Sequence, residues 1–195
     1  MMKAGRSELL PEVARLANNL GGRLSEMGRR AEALGPAEEA VKIRRELAKA
    51  NPDAFRPNLA ASLNNLANRL SEVGRRAEAL GPAEEAVKIR RELAKANPDA
   101  FRPDLAMSLG AMSQVLAGLE RHGEGAASLA EGVQTLRPSF EALPQAFAPL
   151  MGALVRDYLA AAKAAKIEPD LELLGPVVAV FERLKREDAA GKELA

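Results

Sequence analysis

The stretch GRRAEALGPAEEAVKIRRELAKANPDAFRP, Gly28 to Pro57, recurs without a single change from Gly74 to Pro103. A catalytic centre is assembled once, from unlike residues, so a phrase repeated word for word points to a repeated structural unit. Gly28 to Gly74 is a step of 46 residues, and the step holds beyond the phrase. It carries Asn18-Asn19-Leu20 onto Asn64-Asn65-Leu66. It also carries Phe55-Arg56-Pro57 onto Phe101-Arg102-Pro103, and then onto Phe147-Ala148-Pro149. A third unit has drifted but stays in frame. Leu59, Ser62, Leu63 and Leu70 correspond to Leu105, Ser108, Leu109 and Leu116, and Glu78, Glu85 and Val87 to Glu124, Glu131 and Val133.

Each unit reads as two helices. In the second, helix A is expected from about Leu59 to Val73, where Leu59, Leu63, Leu66 and Leu70 form one apolar stripe. Gly74 stops it, as glycine commonly does just past a helix end. Helix B then ends near Ala96, Asn97-Pro98-Asp99 breaks the chain, and Pro103 is expected to open the next helix. Ala79, Ala83 and Ala86 give helix B a small-residue side that lets two backbones approach closely. Glu84, Glu85, Lys88, Arg90, Arg91, Glu92 and Lys95 are expected on a solvated outer face, with Glu84 and Lys88 an i,i+4 pair in the favourable order. Gly81-Pro82 is the awkward spot, repeated at Gly35-Pro36 and Gly175-Pro176. A proline inside a helix removes one hydrogen bond and clashes with the carbonyl four residues back, here that of Glu78. Helix B is therefore expected to kink at Pro82 or to start there.

The chain reads as one repeat domain over 1–195, with units at about 11–56, 57–102, 103–148 and 149–186 and a charged flexible tail at 187–195. Aromatic residues make up only 3% of it against 47% hydrophobic, so the core must be built from Leu, Ala, Val and Met. The abundant Ala, Leu, Glu, Arg and Lys are strong helix formers, and the residues that favour strands are sparse. Basic and acidic residues nearly cancel, 28 against 27, so there is no electrostatic footprint for nucleic acid or an anionic membrane. Cysteine is absent, which excludes disulfides and thiolate chemistry. The start, MMKAGRSELLPEV, lacks the apolar run of a signal peptide, and Val177 to Phe181 is far too short to span a bilayer. A cytoplasmic location is expected.

Nothing in the sequence assembles a catalytic constellation. The one histidine, His122, sits near the third inter-helix turn, and one histidine without cysteine does not make a standard zinc site. Glu38-Glu39 and Glu84-Glu85 are adjacent on a helix and point to different sides of it. Gly21-Gly22 lies inside a helical pattern, without the strand and Gly-Lys-Ser/Thr of a phosphate loop. Tyr158 falls at the core position of Leu66 and is read as packing. The chain is expected to be no enzyme and to need no cofactor or metal.

The residues LNNLANRLSEVGRRAEALGPAEEAVKI, Leu63 to Ile89, resemble a tetratricopeptide repeat of the long-period, kinesin-light-chain-like type common in large bacterial proteins. Leu63, Leu66, Ala67 and Leu70 match that family's helix A packing positions, Gly74 its turn glycine, and Ala79, Ala83 and Ala86 its helix B packing positions. Leu20, Gly21, Leu24, Gly28, Ala33, Ala37 and Ala40 match in the first unit. The third departs: Glu120 stands at the turn glycine, Gly125 and Gly132 stand at the small positions, and looser packing is expected there. The fourth, with its longer turn Ile167-Glu168-Pro169-Asp170 between helices at about Leu150–Lys166 and Leu171–Lys185, looks like a closing cap.

The resemblance implies an all-α fold, a right-handed α-solenoid of about four stacked antiparallel helix pairs. Its A helices would line a concave groove for an extended peptide or a partner's helix. By position the groove would take Arg15, Asn18, Gly22, Ser25 and Glu26 from unit one. It would take Ala61, Asn64, Asn68, Ser71 and Glu72 from unit two, and Met107, Gly110, Gln114, Ala117 and Gly118 from unit three. An amide donates and accepts, which suits gripping a peptide backbone, but the same asparagines could bond adjacent repeats. Asn19 and Asn65, one step round the helix, are assigned to that second role. The carboxylate clamp of the family's chaperone-binding members is not supported, because Asn, Gly and Ala occupy its positions. The implied function is a non-catalytic scaffold that binds a protein or peptide, with no nucleic acid or membrane partner. The alternatives are a self-associating structural array, a possible homo-oligomer, or the sensor part of a larger regulatory assembly.

Overall fold

The computed structural model describes residues 8–193, with side chains described through Glu187 and at Ala189. Residues 1–7, read above as lacking a signal-like run, and residues 194–195 of the expected tail lie outside the described residues. Eight helices and no strand are present among the described residues: α1 (Leu10–Glu26), α2 (Arg30–Ala50), α3 (Pro52–Glu72), α4 (Arg76–Ala96), α5 (Pro98–Gly118), α6 (His122–Ala142), α7 (Pro144–Ala165) and α8 (Leu171–Glu193). The chain divides into two compact units, 1–95 and 96–195. In the first, α1 packs on α2 and α2 on α3; in the second, α5 packs on α6 and α6 on α7. This consecutive stacking of helix pairs is the all-α repeat architecture expected from the 46-residue period.

The A-to-B turns repeat one geometry. Gly28 and Gly74 take φ of 77° and 83°. At the first, Gly28 N–H bonds Ser25 O at 2.8 Å and Arg29 N–H bonds Leu24 O at 2.8 Å; at the second, Gly74 bonds Ser71 and Arg75 bonds Leu70. This is the Schellman arrangement, in which a left-handed residue lets the chain satisfy the last helical carbonyls. In the third turn the same bonds are made around Glu120, at φ 61°, and in the fourth around Lys166, at φ 58°. Past each of the first three turns, an arginine grips the glutamate three residues on: Arg29–Glu32, Arg75–Glu78 and Arg121–Glu124. These hydrogen bonds hold all three carboxyls below the usual carboxylate range.

The prolines behave differently from the reading above. Pro103 does not open a helix; α5 begins five residues earlier, at Pro98, and α3 begins likewise at Pro52. The cap is the preceding asparagine. Asn51 Oδ1 accepts from Ala54 N–H and Asn97 Oδ1 from Ala100 N–H, both at 3.3 Å, with proline at the first helical position, where its missing N–H costs nothing. Nor does helix B start at Gly-Pro. α2, α4 and α8 run through Pro36, Pro82 and Pro176. The glycine before each proline has no Cβ to collide with the proline ring, which removes much of the pre-proline bar to helix. The carbonyls that lose a donor, on Glu32 and Glu78, belong to exposed residues within reach of solvent. Residues 187–193, read as tail, continue α8 beyond Lys185.

Small residues hold the A and B helices together. Ala33, Ala37, Ala40, Ala79, Ala83 and Ala86 are all buried. A Cβ on Gly21 would meet Ala33 O at 3.1 Å, so α1 and α2 touch backbone to backbone. The third repeat is not looser. A Cβ on Gly125 would lie 3.2 Å from Ser113 Oγ and one on Gly132 3.3 Å from Leu154 Cδ2, so these glycines let the neighbouring helices close in. The fourth repeat differs. Leu159 replaces the small residue found at Gly21, Ala67 and Ser113, and the α7–α8 turn is longer. Large side chains fill this region instead: Leu174, Val177 and Val180 join Leu129, Leu136 and Phe140 in one core, and the Phe140 and Phe181 rings lie 4.9 Å apart. Tyr158 packs in that core, as expected, and its hydroxyl also accepts the Asp170 N–H at 2.9 Å, which ties down the longer turn. Asp170 in turn caps α8 through Leu173 N–H.

A non-glycine residue in the left-handed region costs about 1–2 kcal/mol. Replacing Glu120→Gly should therefore raise unfolding stability by about 1 kcal/mol, and Gly74→Ala should lower it by a similar amount. Urea titration of both variants reads this; a stabilising Gly74→Ala would contradict the turn assignment.

Candidate functional site

In the first unit a polar cavity of about 380 Å³ opens between the A helices α1 and α3. Its walls are Asn18, Asn19, Gly21, Gly22, Arg23 and Glu26 of α1, Ala37 of α2, and Asn65 and Arg69 of α3. Gly22 leaves room here, since a Cβ on it would meet nothing within 4 Å. The deepest charge is Arg69, whose side chain is 15% exposed and whose Nη2 pairs with Glu72 at 3.1 Å. Arg69 Nε is buried and meets no acceptor among the described residues. Glu72 is fixed from the other side by Ser25, whose hydroxyl donates to Oε2 at 2.6 Å.

The asparagines serve the joint between repeats. Asn65 Nδ2 donates to Asn18 Oδ1 at 2.9 Å, and Ser62 Oγ donates to the same oxygen at 3.4 Å. Arg44 of α2 reaches under α3 and donates to Asn58 O at 2.7 Å and to Ser62 Oγ. Burial pulls its guanidinium below the ordinary arginine value. The tie assigned to Asn65 is thus present, and Asn18 shares it; Asn19, the counterpart of Asn65 in the first repeat, is exposed. Arg90, the counterpart of Arg44, is also buried, at 7% exposure, and not on the solvated outer face where the sequence reading placed it. That face is cross-linked as well: Arg45 of α2 pairs with Glu85 of α4, and Arg56 of α3 with Glu92 of α4.

The remaining expected groove residues are spread along the A helices. Arg15 is exposed and paired with Glu12, and Glu26 is exposed and paired with Arg23 at 3.0 Å. Ser71 donates back to Ala67 O, while Asn64 and Asn68 are half-buried. Met107 and Gln114 belong to the second unit, where both are exposed. Gln114 lines a second cavity, of about 440 Å³, with Gly110, Ser113, Ala117, His122, Asp157 and three alanines of α7. Asp157 and Ala161 there stand at the register of Asn65 and Arg69, so the same position on the fold is polar in the first unit and mostly small and apolar in the second. His122 is the first residue of α6 and half-buried. No group of three or more His, Asp or Glu that could hold a metal ion occurs among the described residues. Arg69, the most buried charged residue of the first cavity, was missed above. The signal was present: Arg23 and Arg69 are one 46-residue step apart, in GGRLSE and ANRLSE.

Net contributions of such hydrogen bonds run to about 1 kcal/mol, and contacting residues couple. A double-mutant cycle of Asn18→Ala and Asn65→Ala should show a coupling of about 0.5–1.5 kcal/mol in unfolding free energy. Strict additivity would remove the bond from the joint.

The tetratricopeptide repeat family model matches residues 13–53 and 59–99, two segments related by the 46-residue step. No curated protein matches the sequence. Among solved structures, a kinesin-light-chain-type protein of Podosopora anserina with nearly identical TPR-like repeats is similar over 92% of this chain and 98% of its own, at 20% identity and a TM-score of 0.49. A single-residue variant of that protein is similar at 20% identity and a TM-score of 0.48. None of the described helices is long and apolar enough to cross a membrane. The match at 13–53 and 59–99 falls on α1–α4, with the Schellman turns at Gly28 and Gly74 inside it, and these two segments are therefore tetratricopeptide repeats.

Proposed function

We propose that this protein is a non-catalytic scaffold that holds an extended peptide segment along its A helices, with the polar cavity of the first unit as the main contact. Tetratricopeptide repeats are protein-interaction elements in general; the groove ligand is the step proposed here. The observation that carries it is Arg69. A largely buried guanidinium, braced by Glu72 and Ser25, stands at the wall of a polar cavity, and its buried Nε has no acceptor among the described residues. Buried polar groups are costly unless they are hydrogen-bonded. A peptide carbonyl or carboxylate entering between α1 and α3 would pair with the guanidinium, and Asn19 and Glu26 of the cavity wall, with Asn68 next to Arg69 in the chain, would meet the peptide's other backbone groups. The location is proposed to be cytoplasmic.

The test is selection of binders from a displayed library of linear peptides, followed by titration of the selected peptides against variants. Arg69→Gln and Asn68→Ala should each weaken binding at least about tenfold, equivalent to about 1.4 kcal/mol, while the helical circular dichroism spectrum stays intact. Selected peptides that bind both variants as tightly as the parent would move the site off the A helices.

A further inference from the structure

A second surface, which shares only Asn19 and Glu26 with the rim of the cavity, lies on the first repeat. Val13, Leu16 and Leu20 of α1 are 44%, 54% and 51% exposed. One 46-residue step on, Leu59, Ser62 and Leu66 of α3 are at most 9% exposed, because α3 lies on the repeat before it. The polar half of that joint is known in detail. Asn65, Glu72, Arg75 and Glu85 receive Asn18, Ser25, Glu38 and Arg45 of the preceding repeat. One step back stand Asn19, Glu26, Arg29 and Glu39, the same four residue types in the same order, all exposed. The first repeat thus presents the receiving half of a repeat-to-repeat joint, apolar stripe and polar groups together.

The last repeat carries a giving half of matching charge. Three steps on from Asn18 and Ser25 stand Arg156 and Lys163. Setting Gly175-Pro176 on Gly35-Pro36 puts Val178 at the place of Glu38 and Lys185 at the place of Arg45. All four are exposed, and so is Leu159 of α7, at 41%. In the register of the internal joint, Lys163 meets Glu26 as Ser25 meets Glu72, and Lys185 meets Glu39 as Arg45 meets Glu85. Two apolar faces with opposite charges at corresponding places are complementary surfaces.

We propose that the last repeat of one copy of this chain docks on the first repeat of a second copy, head to tail. Leu16 and Leu20 would lie against the apolar face around Leu159, with Glu26 and Glu39 against Lys163 and Lys185 and Val178 over the stem of Arg29. Such a contact is heterologous: each copy keeps one free half, so the assembly grows until it closes into a ring or continues as a filament. It does not require the groove reading, and the Leu16→Glu and Leu159→Glu variants below leave every residue lining the A-helix cavity untouched.

The test is sedimentation velocity of the full chain over a wide concentration range, at low and high salt. The average mass should rise with concentration past a dimer, and the association should weaken in high salt, where exposed charge pairs are screened. Leu16→Glu and Leu159→Glu should each be monomeric alone. Mixed in equal amounts they should form a heterodimer and stop, because each keeps one intact half. If either substitution unfolds the chain, the exposed charges serve instead. Glu26→Lys with Glu39→Lys, and Lys163→Glu with Lys185→Glu, should each lose at least tenfold in self-affinity and recover it on mixing. Three results would overturn the proposal: a strict monomer at every concentration, a Leu159→Glu variant that still dimerises alone, or no rescue on mixing.

Discussion

The structure depends on how closely the two helices of a repeat can approach. Along the first seam, Gly21 faces Ala33 and Ala37, and a single added carbon at Gly21 would sit 3.1 Å from a backbone oxygen. At such distances the helices are held by many weak dispersion contacts between backbones and by the exclusion of water, not by large interlocking side chains. The low aromatic content follows, because a seam built from Ala and Gly has no room for rings. So does the repetition. A close helix pair leaves its leucine stripe uncovered and becomes stable only when the next pair lies on it, as α3 lies on α2.

Departures from the seam change the architecture where they occur. In the third repeat glycine takes the place of alanine, and its neighbours move in. In the fourth, Leu159 occupies the small position, and the core beneath is rebuilt from Leu174, Val177, Val180 and two phenylalanines. The polar joints follow the same logic. With the backbones close, short side chains such as Asn18, Ser25, Ser62 and Asn65 can bridge successive A helices, and the longer arginines tie α2 to α3 and α4. Cavity, joint and exposed first face are therefore three forms of one repeated surface.

Much of this was legible in the sequence because the determinants are local and recur. The period, the two helices per repeat, the turns at Gly28 and Gly74, the small-residue side of helix B and the packing of Tyr158 could all be read from spacing. What could not be read depends on context. Proline marks a boundary at Pro52 and Pro98, where an asparagine caps the helix, but not at Pro57, Pro103 or after a glycine at Pro36 and Pro82. Arg90 reads in the sequence as one more outer-face charge, yet it is buried. The polar cavity is invisible in any single helix, since it forms only where α1 and α3 face each other and Gly22 leaves space between them.

The central claim is that backbone-close packing of small residues sets the repeat. Ala37, 3% exposed and 3.6 Å from the Cβ position of Gly21 through its nitrogen, sits at the middle of that seam. The direct measurement is urea unfolding of Ala37→Leu beside the neighbouring exposed change Glu38→Leu. Overpacking of a closed seam should cost about 1–3 kcal/mol in the first variant, with the second near the parent. An Ala37→Leu protein as stable as the parent would mean the helices have room to spare there, and the account of the repeat would be wrong.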